Sequence, residues 1–239
     1  MREVQVAVAK APKYASRESG DTVEVVERPH GGLSVLLVDA QGSGLPAKTL
    51  SNLLISRGVA LIKEGTRDGA VGRALHDYLY TLRQGRVSAT LVIVSVDLQT
   101  QTVVVSRNDE CPAYFFSPAG IEVSDRPVSP LGLYRGTKPV IVEKPIADYL
   151  GVAVTSDGIV HAGERRGTPL DGQAFLQEQL ARGWPPAQEL ADALLERALW
   201  LEEGRPHDDV SVVVVTIAPI EDSDVPIRRL TARLPVGVR

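Results

Sequence analysis

Several common features are missing from this chain of 239 residues, and each absence excludes a class of protein. A single cysteine, Cys111, rules out an internal disulfide. The longest apolar stretches, near 91–96 and 210–217, fall well short of the roughly 18 residues that a membrane span needs. The net charge is −4 and no basic stripe with interleaved aromatics occurs, which disfavours nucleic acid as a partner. With no charged N-terminal segment followed by a long apolar run, we expect a cytoplasmic chain outside the membrane.

What is present is enough apolar sequence for a full core. Hydrophobic residues make up 44% of the chain, and no repeat, low-complexity tract or long linker divides it. We therefore predict one domain over residues 1–239, with a basic tail at about 220–239 to which we assign no function. The basic residues of the tail are Arg228, Arg229, Arg233 and Arg239.

The order of apolar patterns predicts an α+β sandwich. Strands are expected at 4–9, 22–27 and 33–38, helices after Gly44 and at 71–82, and then an antiparallel meander at 89–96, 102–106 and 113–116. An ordered loop over 124–139 is the expected place for substrate contacts. Helices are expected at 173–180 and 187–201. The last strand, 209–217, is apolar on both faces and should lie centrally in a sheet covered on both sides.

Four aspartates stand where strand-like apolar runs meet loops: Asp21, Asp39, Asp157 and Asp208. Three of them have an ordinary explanation when taken alone: a glycine-rich loop after Asp39, a hairpin turn at Asp157 and the solvated start of a strand at Asp208. Carboxylates brought together without a counter-ion repel one another, and hard divalent cations such as Mg²⁺ and Mn²⁺ favour oxygen ligands. The shared arrangement therefore indicates a carboxylate cluster that binds metal.

Five sequence blocks occur in a fixed order along the chain: Ser19–Asp21, Val38–Ala47, Ser129–Leu133, Thr155–Gly158 and His207–Ser211. In this order they resemble the metal-dependent protein serine/threonine phosphatases, and among these the bacterial branch like stage II sporulation protein E. The size of the chain and the D-x-x-G-S-G form at Asp39 are similar to the stand-alone regulator-of-sigma-B X type.

This resemblance implies an αββα sandwich, two antiparallel sheets flanked by helix pairs, with two Mn²⁺ or Mg²⁺ ions at one edge. It implies that Asp39 bridges both ions and that Asp157 and Asp208 bind one of them. Asp21 and the backbone carbonyl of Ala40 would bind the other. The implied catalytic residues are Asp39, Asp157 and Asp208, and the implied reaction is hydrolysis of phosphoserine or phosphothreonine by a water that the two ions activate. Arg17, four residues before Asp21, is the candidate for binding the substrate phosphate, the alternative being an exposed loop arginine.

The implied substrate is a phosphorylated bacterial signalling protein of the STAS or anti-anti-sigma type. Two alternatives stay open at this point. One is a non-catalytic relative that binds phosphoproteins, which the four intact acids disfavour, and the other is a metal-dependent hydrolase of small phosphate esters.

Two positions depart from the family pattern. Ala40 replaces the usual glycine. Metal binding should survive this change, because the ligand is the backbone carbonyl and not the side chain. Gln41 replaces a histidine that serves as the proposed general acid in eukaryotic relatives, so the proton must come from elsewhere. The other candidate donors are His30, His76, His161 and His207. Cys111 lacks an arginine-rich phosphate loop, which disfavours a cysteine phosphatase.

Overall fold

The computed structural model describes residues 1–16, 18–220 and 228–233. Over these residues the strands and helices alternate in blocks, as the apolar patterns predict. The strands are β1 (Arg2–Ala11), β2 (Thr22–Glu27), β3 (Gly32–Ala40), β4 (Ala89–Asp97), β5 (Thr102–Asn108), β6 (Ala113–Ser117), β7 (Gly120–Ser124), β8 (Val140–Pro145), β9 (Leu150–Thr155) and β10 (Val210–Pro219). The helices are α1 (Gly44–Lys63), α2 (Asp68–Arg83), α3 (Asp157–Val160), α4 (Gly172–Leu180) and α5 (Ala187–Leu201), with a 3-10 turn at Glu164–Arg166.

The strands form two antiparallel sheets. The first sheet has the order β2-β3-β4-β5-β8 and the second has the order β1-β10-β9-β6-β7. Helices α1 and α2 cover the outer face of the first sheet, and α4 and α5 cover the outer face of the second. The predicted αββα sandwich of two antiparallel sheets flanked by helix pairs is confirmed.

Three apolar layers hold this sandwich together. Side chains such as Leu36 and Ile93 project from the first sheet onto Leu54 and Leu75 of α1 and α2, and all four are almost fully buried. Full burial of one such side chain stabilises the fold by about 1.5–3 kcal/mol relative to leaving it exposed. A second layer lies between the sheets, and a third lies between the second sheet and α5.

Strand β10 lies inside the second sheet, between β1 and β9, as its sequence predicts. Val212 and Val214 face the α4–α5 layer, whereas Val213 and Val215 face the layer between the sheets. Because successive side chains of a strand point to opposite faces, a strand buried on both faces needs an unbroken apolar run. The valine-rich sequence of β10 meets that need.

The predicted meander is wrong in its third strand. Strands β4 and β5 pair in the first sheet, but β6 pairs with β7 and β9 in the second sheet. The chain therefore crosses from one sheet to the other between Asn108 and Ala113. Alternation of apolar residues identifies a strand but does not say which sheet it joins, because both sheets contribute the same kind of side chain to the layer between them.

The segment between β7 and β8 is the ordered loop that its prolines predict. Leu131 is fully buried and forms an isolated antiparallel bridge with Ala89, the partner of Ala40 in β3. The loop is thereby joined to the same end of the first sheet as Asp39. Among the described residues, none of the helices is long and apolar enough to cross a membrane.

Candidate active site

The register of the strands brings the four aspartates to one edge of the sandwich. Asp21 directly precedes β2 and Asp39 is the penultimate residue of β3, and the pairing of Thr22 with Val38 makes them neighbours in the first sheet. In the second sheet Asp157 follows β9 and Asp208 precedes β10, and the pairing of Thr155 with Val212 places both at the same end. Acids that are more than 180 residues apart in sequence therefore meet at one place.

Asp39 lies at the centre of this cluster. Burial, the largest cause, and the charges of Asp21, Asp157 and Asp208 together raise the pKa of its carboxyl to about 9, with a smaller contribution from Asp109. A carboxylate surrounded by like charges in a desolvated place retains its proton unless a cation is supplied. Three of the four predicted aspartates thus act electrostatically on the fourth, Asp39.

Asp21 is held firmly. Its side chain is buried, and its Oδ2 accepts a hydrogen bond of 2.6 Å from the Ser211 hydroxyl. Its backbone carbonyl accepts hydrogen bonds of 2.8 Å from the amino groups of both Lys10 and Lys48. Burial raises the pKa of Asp21, and burial and the neighbouring Lys48 lower the pKa of Lys10. The geometry of Asp21 is therefore set from both its backbone and its side chain.

Asp157 begins the short helix α3, so the Asp157–Gly158 pair is not the hairpin turn that such a pair often marks. A Cβ at Gly158 would lie 2.2 Å from the carbonyl oxygen of Asp209, so only glycine lets this backbone approach the start of β10. Burial and the charge of Asp208 raise the pKa of Asp157. The close approach of Gly158 to Asp209 places Asp157 beside Asp208.

The donor set of this cluster fits a divalent cation. Asp21 Oδ1 and Asp157 Oδ1 are buried and have no hydrogen-bond partner, although a buried carboxylate oxygen normally has one. Bound cations would satisfy these oxygens and neutralise the charges that raise the pKa of Asp39. No three His, Cys, Asp or Glu side chains of residues 1–16, 18–220 and 228–233 are already arranged as a closed metal-binding group. The ligands must therefore adjust when an ion binds.

The backbone carbonyl of Ala40 is directed away from β4. The Gln41 N–H donates to the Ser88 carbonyl, so Ala40 and Ala89 form a pair without hydrogen bonds between them. On the other side of β3, the next partner in β2 would be Gly20, but its N–H donates to Asp209 instead. The Ala40 carbonyl consequently faces the side of β3 on which Asp21 lies.

Two further acids belong to this region and were not assigned roles from the sequence. Asp209 Oδ2 accepts from the Gly20 N–H at 2.6 Å and its Oδ1 accepts from the Lys13 N–H at 2.9 Å, which ties the segment before Asp21 to β10. Asp109 is buried, accepts from the Cys111 N–H at 2.9 Å, and has a pKa raised to about 6 by burial. Asp109 directly follows β5, much as Asp39 stands at the end of β3. A search for aspartates at the ends of all predicted strands would therefore have found it.

The candidate proton donors lie in different places. Gln41 is engaged in structure, because its Oε1 accepts from the Ser88 N–H at 3.0 Å. His76 is buried in α2 and its Nδ1 accepts from the Gly132 N–H at 3.1 Å. His30 is exposed in the turn between β2 and β3. Only His161 and His207 lie beside the acids, in the cavity described next.

A cavity of about 240 Å³ opens beside the cluster, with Asp157 and Asp208 in its wall. Its other lining residues with ionisable side chains are His161, Glu164, Arg165, Glu202 and His207. A larger cavity, of about 320 Å³ beside Trp184 and Arg182, contains none of the clustered aspartates. The smaller cavity is therefore the one that concerns the chemistry.

The structure describes Cys111 but does not describe Arg17, the other two residues considered for phosphate chemistry. Burial raises the pKa of the Cys111 thiol, which leaves it protonated and a poor nucleophile, so the thiol disfavours a cysteine phosphatase as the sequence does. Arg17, the candidate for binding the substrate phosphate, lies outside the described residues, as do residues 221–227 and 234–239 of the predicted basic tail.

Comparison with solved structures identifies the class of fold. The PP2C phosphatase domain of the cell fate determinant SpoIIE from Bacillus subtilis, solved with a fragment of its regulatory domain, superposes with a TM-score of 0.77 at 21% identity. That alignment covers 91% of this chain and 64% of the other, so this chain spans less than two thirds of that protein fragment. The SpoIIE phosphatase domain by itself aligns over 96% of this chain and 98% of its own length, with a TM-score of 0.69 and 19% identity. The fold is the PP2C-type phosphatase fold.

A further structure with this fold is RsbX in complex with magnesium, with a TM-score of 0.69, 13% identity, and coverage of 90% of this chain and 96% of the other. No curated protein matches the chain. Residues 29–218 match the sequence model of the family described as Stage II sporulation protein E (SpoIIE). The chain therefore belongs to the stage II sporulation protein E family of PP2C-type protein phosphatases, and the resemblance found in the sequence is confirmed. Phosphatases of this kind generally use Mn²⁺ or Mg²⁺ and act on phosphoproteins.

Proposed function

We propose that this chain is a Mn²⁺- or Mg²⁺-dependent phosphatase that hydrolyses phosphoserine or phosphothreonine in a protein substrate. The observation that carries the proposal is the position of Asp39, whose pKa is raised to about 9 by burial and by three other aspartates from both sheets. Such crowding of acids is costly for a fold unless cations neutralise it. We further propose that residues 1–239 form a single catalytic domain.

The proposed ligands follow the two sheets. Asp39 would bind both ions, Asp157 and Asp208 would bind one, and Asp21 with the Ala40 carbonyl would bind the other. Bound ions of this kind supply an activated water and neutralise the phosphoryl oxygens during displacement. The unpartnered oxygens of Asp21 and Asp157 support these assignments.

The remaining residues position the ligands and admit the substrate. Ser211 orients Asp21 by donating to its Oδ2, and Asp209 holds the segment that precedes Asp21. No protein nucleophile is needed, and the protonated Cys111 thiol does not provide one. The proposed role of Arg17 in binding the substrate phosphate remains a prediction from the sequence.

The substrate we propose is a cytoplasmic bacterial signalling phosphoprotein of the STAS or anti-anti-sigma type. Membership of the stage II sporulation protein E family supports this proposal. A structural neighbour from the bacterial stressosome, a modular system that has been adapted to control secondary messenger signalling, aligns with a TM-score of 0.64 at 18% identity.

The test is hydrolysis of p-nitrophenyl phosphate and of a phosphoserine STAS-domain protein, each measured with Mn²⁺, with Mg²⁺ and with EDTA. We expect turnover of both substrates with metal and none with EDTA. Titration calorimetry with Mn²⁺ gives a readout that does not depend on activity. Metal binding without turnover of either substrate would favour a non-catalytic phosphoprotein-binding module. Turnover of the small ester without turnover of the protein would favour a hydrolase of small phosphate esters.

A further inference from the structure

The cavity beside Asp157 and Asp208 is too large for the reacting phosphoryl group alone. Its volume of about 240 Å³ corresponds to roughly eight water molecules at about 30 Å³ each. Because two of the proposed metal ligands line it, a phosphorylated side chain held at the ions would place its neighbouring residues over the remaining space. The cavity is therefore positioned to contact the substrate next to the phosphorylated residue.

Most charges in this cavity already have partners within the chain. Glu202 is buried, with its Oε1 accepting from the Gly163 N–H at 2.8 Å and its Oε2 lying 2.5 Å from His207 Nδ1. Glu164 lies 2.9 Å from His161 Nδ1. Asp157 and Asp208 are the proposed metal ligands. Each acid that lines the cavity is therefore either paired with a histidine or proposed as a metal ligand.

Arg165 differs from these residues. Its side chain lines the cavity and is exposed, and within the described residues no hydrogen bond or ion pair engages its guanidinium. The adjacent Arg166 is engaged, because it pairs with Glu203 and with the Glu202 carbonyl. Arg165 is therefore a cation available to an anion that enters the cavity.

The turn that carries Arg165 is built to hold its shape. It lies between Gly163 and Gly167, which have φ values of 80° and 74°, in the left-handed region that favours glycine. A Cβ at Gly163 would lie 2.2 Å from the Thr168 carbonyl oxygen. The Thr168 N–H donates to the Gly163 carbonyl and the Leu170 N–H donates to the Ala162 carbonyl, at 3.1 and 2.9 Å. A cation presented by an anchored turn loses less entropy when it binds.

We propose that Arg165 binds an acidic side chain that flanks the phosphorylated residue of the protein substrate, and so sets sequence preference. This inference rests on the proposed function of the adjacent centre. A planar guanidinium suits a carboxylate by bidentate hydrogen bonding. The reacting phosphate belongs at the carboxylate cluster, which leaves Arg165 for a second anionic group.

The test compares phosphoserine peptides that carry Glu at the flanking positions with matched peptides that carry Gln. Wild-type kcat/KM should be about fivefold higher for the Glu peptides, the size that an exposed charge pair supports. Arg165→Ala should abolish this preference and Arg165→Glu should invert it, while Arg165→Lys should retain part of it. Hydrolysis of p-nitrophenyl phosphate should be unchanged in all three variants.

The matched control is Arg83→Glu, which changes an exposed arginine in the last turn of α2, on the other sheet. It should keep the preference for Glu peptides. Loss of p-nitrophenyl phosphate turnover in Arg165→Ala, with the thermal melt unchanged, would assign Arg165 to the reacting phosphate and overturn the proposal. The proposal would also be overturned if the ratio of kcat/KM for Glu peptides to kcat/KM for Gln peptides were the same in Arg165→Glu as in wild type.

A binding measurement separates this inference from the proposed function. Fluorescence anisotropy with labelled Glu and Gln phosphopeptides needs no turnover. If the wild-type protein shows no metal-dependent hydrolysis, the proposed function fails, whereas a binding preference lost in Arg165→Ala still supports Arg165 as the acidic-residue contact. Equal binding of the two peptides by wild type would contradict the inference irrespective of activity.

Discussion

The two halves of the carboxylate cluster differ in how they are held. The half on the first sheet is enclosed: Asp21 is 1% exposed, and Ser211, Lys10 and Lys48 fix its side chain and backbone. The half on the second sheet is open, because Asp208 is exposed and lines a cavity with Asp157. The enclosed half is suited to positioning an ion, and the open half is suited to admitting a phosphoprotein. Asp39 lies between the two and is affected by both.

The largest effect should come from Asp39, the residue common to both halves. Asp39→Asn should lower kcat by orders of magnitude with Mn²⁺, because it removes charge from both proposed ion sites. The melting temperature in EDTA should stay equal or rise, since a half-buried acid among like charges is removed. Steady-state kinetics and a thermal melt measure the two outcomes.

The control is Asp77→Asn, which changes an exposed aspartate on α2 and should retain wild-type kcat.

Asp208→Asn, like Asp39→Asn, should lower kcat by orders of magnitude while leaving the fold intact. Near-normal kcat in Asp39→Asn would refute the assignment of Asp39 to both ions.

A smaller effect should distinguish the adjacent Asp208 and Asp209. Asp209→Ala leaves the buried Gly20 N–H without its acceptor and should lower the free energy of unfolding by about 2 kcal/mol. Asp208→Asn keeps the exposed side-chain oxygen that accepts from the Asp209 N–H at 2.9 Å, and should change the free energy of unfolding by less than about 0.5 kcal/mol. Urea denaturation in EDTA measures both variants without a contribution from metal binding. Equal destabilisation by the two replacements would contradict the division into a positioning acid and a metal-binding acid.

The most gradual effect should be the pH dependence of the metal-free protein. Asp39 retains its proton in the folded state up to about pH 9 but loses it near pH 4 when unfolded. Between these values the folded state binds more protons, so stability should fall as pH rises from about 4 to about 9. Thermal melts in EDTA at successive pH values should show this fall, and Asp39→Asn should reduce it.

The stabilisation by metal should instead increase with pH, because a bound cation displaces the proton of Asp39. The rise in melting temperature on adding Mn²⁺ should therefore be larger at pH 8 than at pH 6. A metal-free melting temperature that is as pH-dependent in Asp39→Asn as in wild type would assign the dependence to other groups, such as Asp109.

Much of the fold could be predicted because the apolar patterns are strong. Helix α5 occupies the predicted 187–201 range, and the buried strand β10 follows from its run of valines. The sheet that β6 joins could not be predicted, since a strand facing the layer between the sheets has the same pattern in either sheet. The choice is made by pairing with β9, which lies beyond β7 and β8 in the chain.

The four aspartates could be named from the sequence because each stands at a strand end within a recognisable motif. Asp109 follows β5 and could have been named from its place at a strand end, but Asp209 could not be assigned a role, because its environment arises from contacts between distant segments. Asp209 contacts Lys13 and Gly20 across nearly the whole chain, and no local pattern records those hydrogen bonds. Arg165 was missed for a similar reason: its lack of a partner is visible only once Glu202 and Glu164 are seen to be paired with histidines.

By itself, the sequence determined which residue types stand at the strand ends, which runs form strands and helices, and the family to which the motifs belong. These depend on local chemistry and on periodicity. Only the tertiary structure decided which acids share a charge environment, which are enclosed and which face a cavity. Those properties depend on distance and desolvation, and both are set by the pairing of strands from opposite ends of the chain.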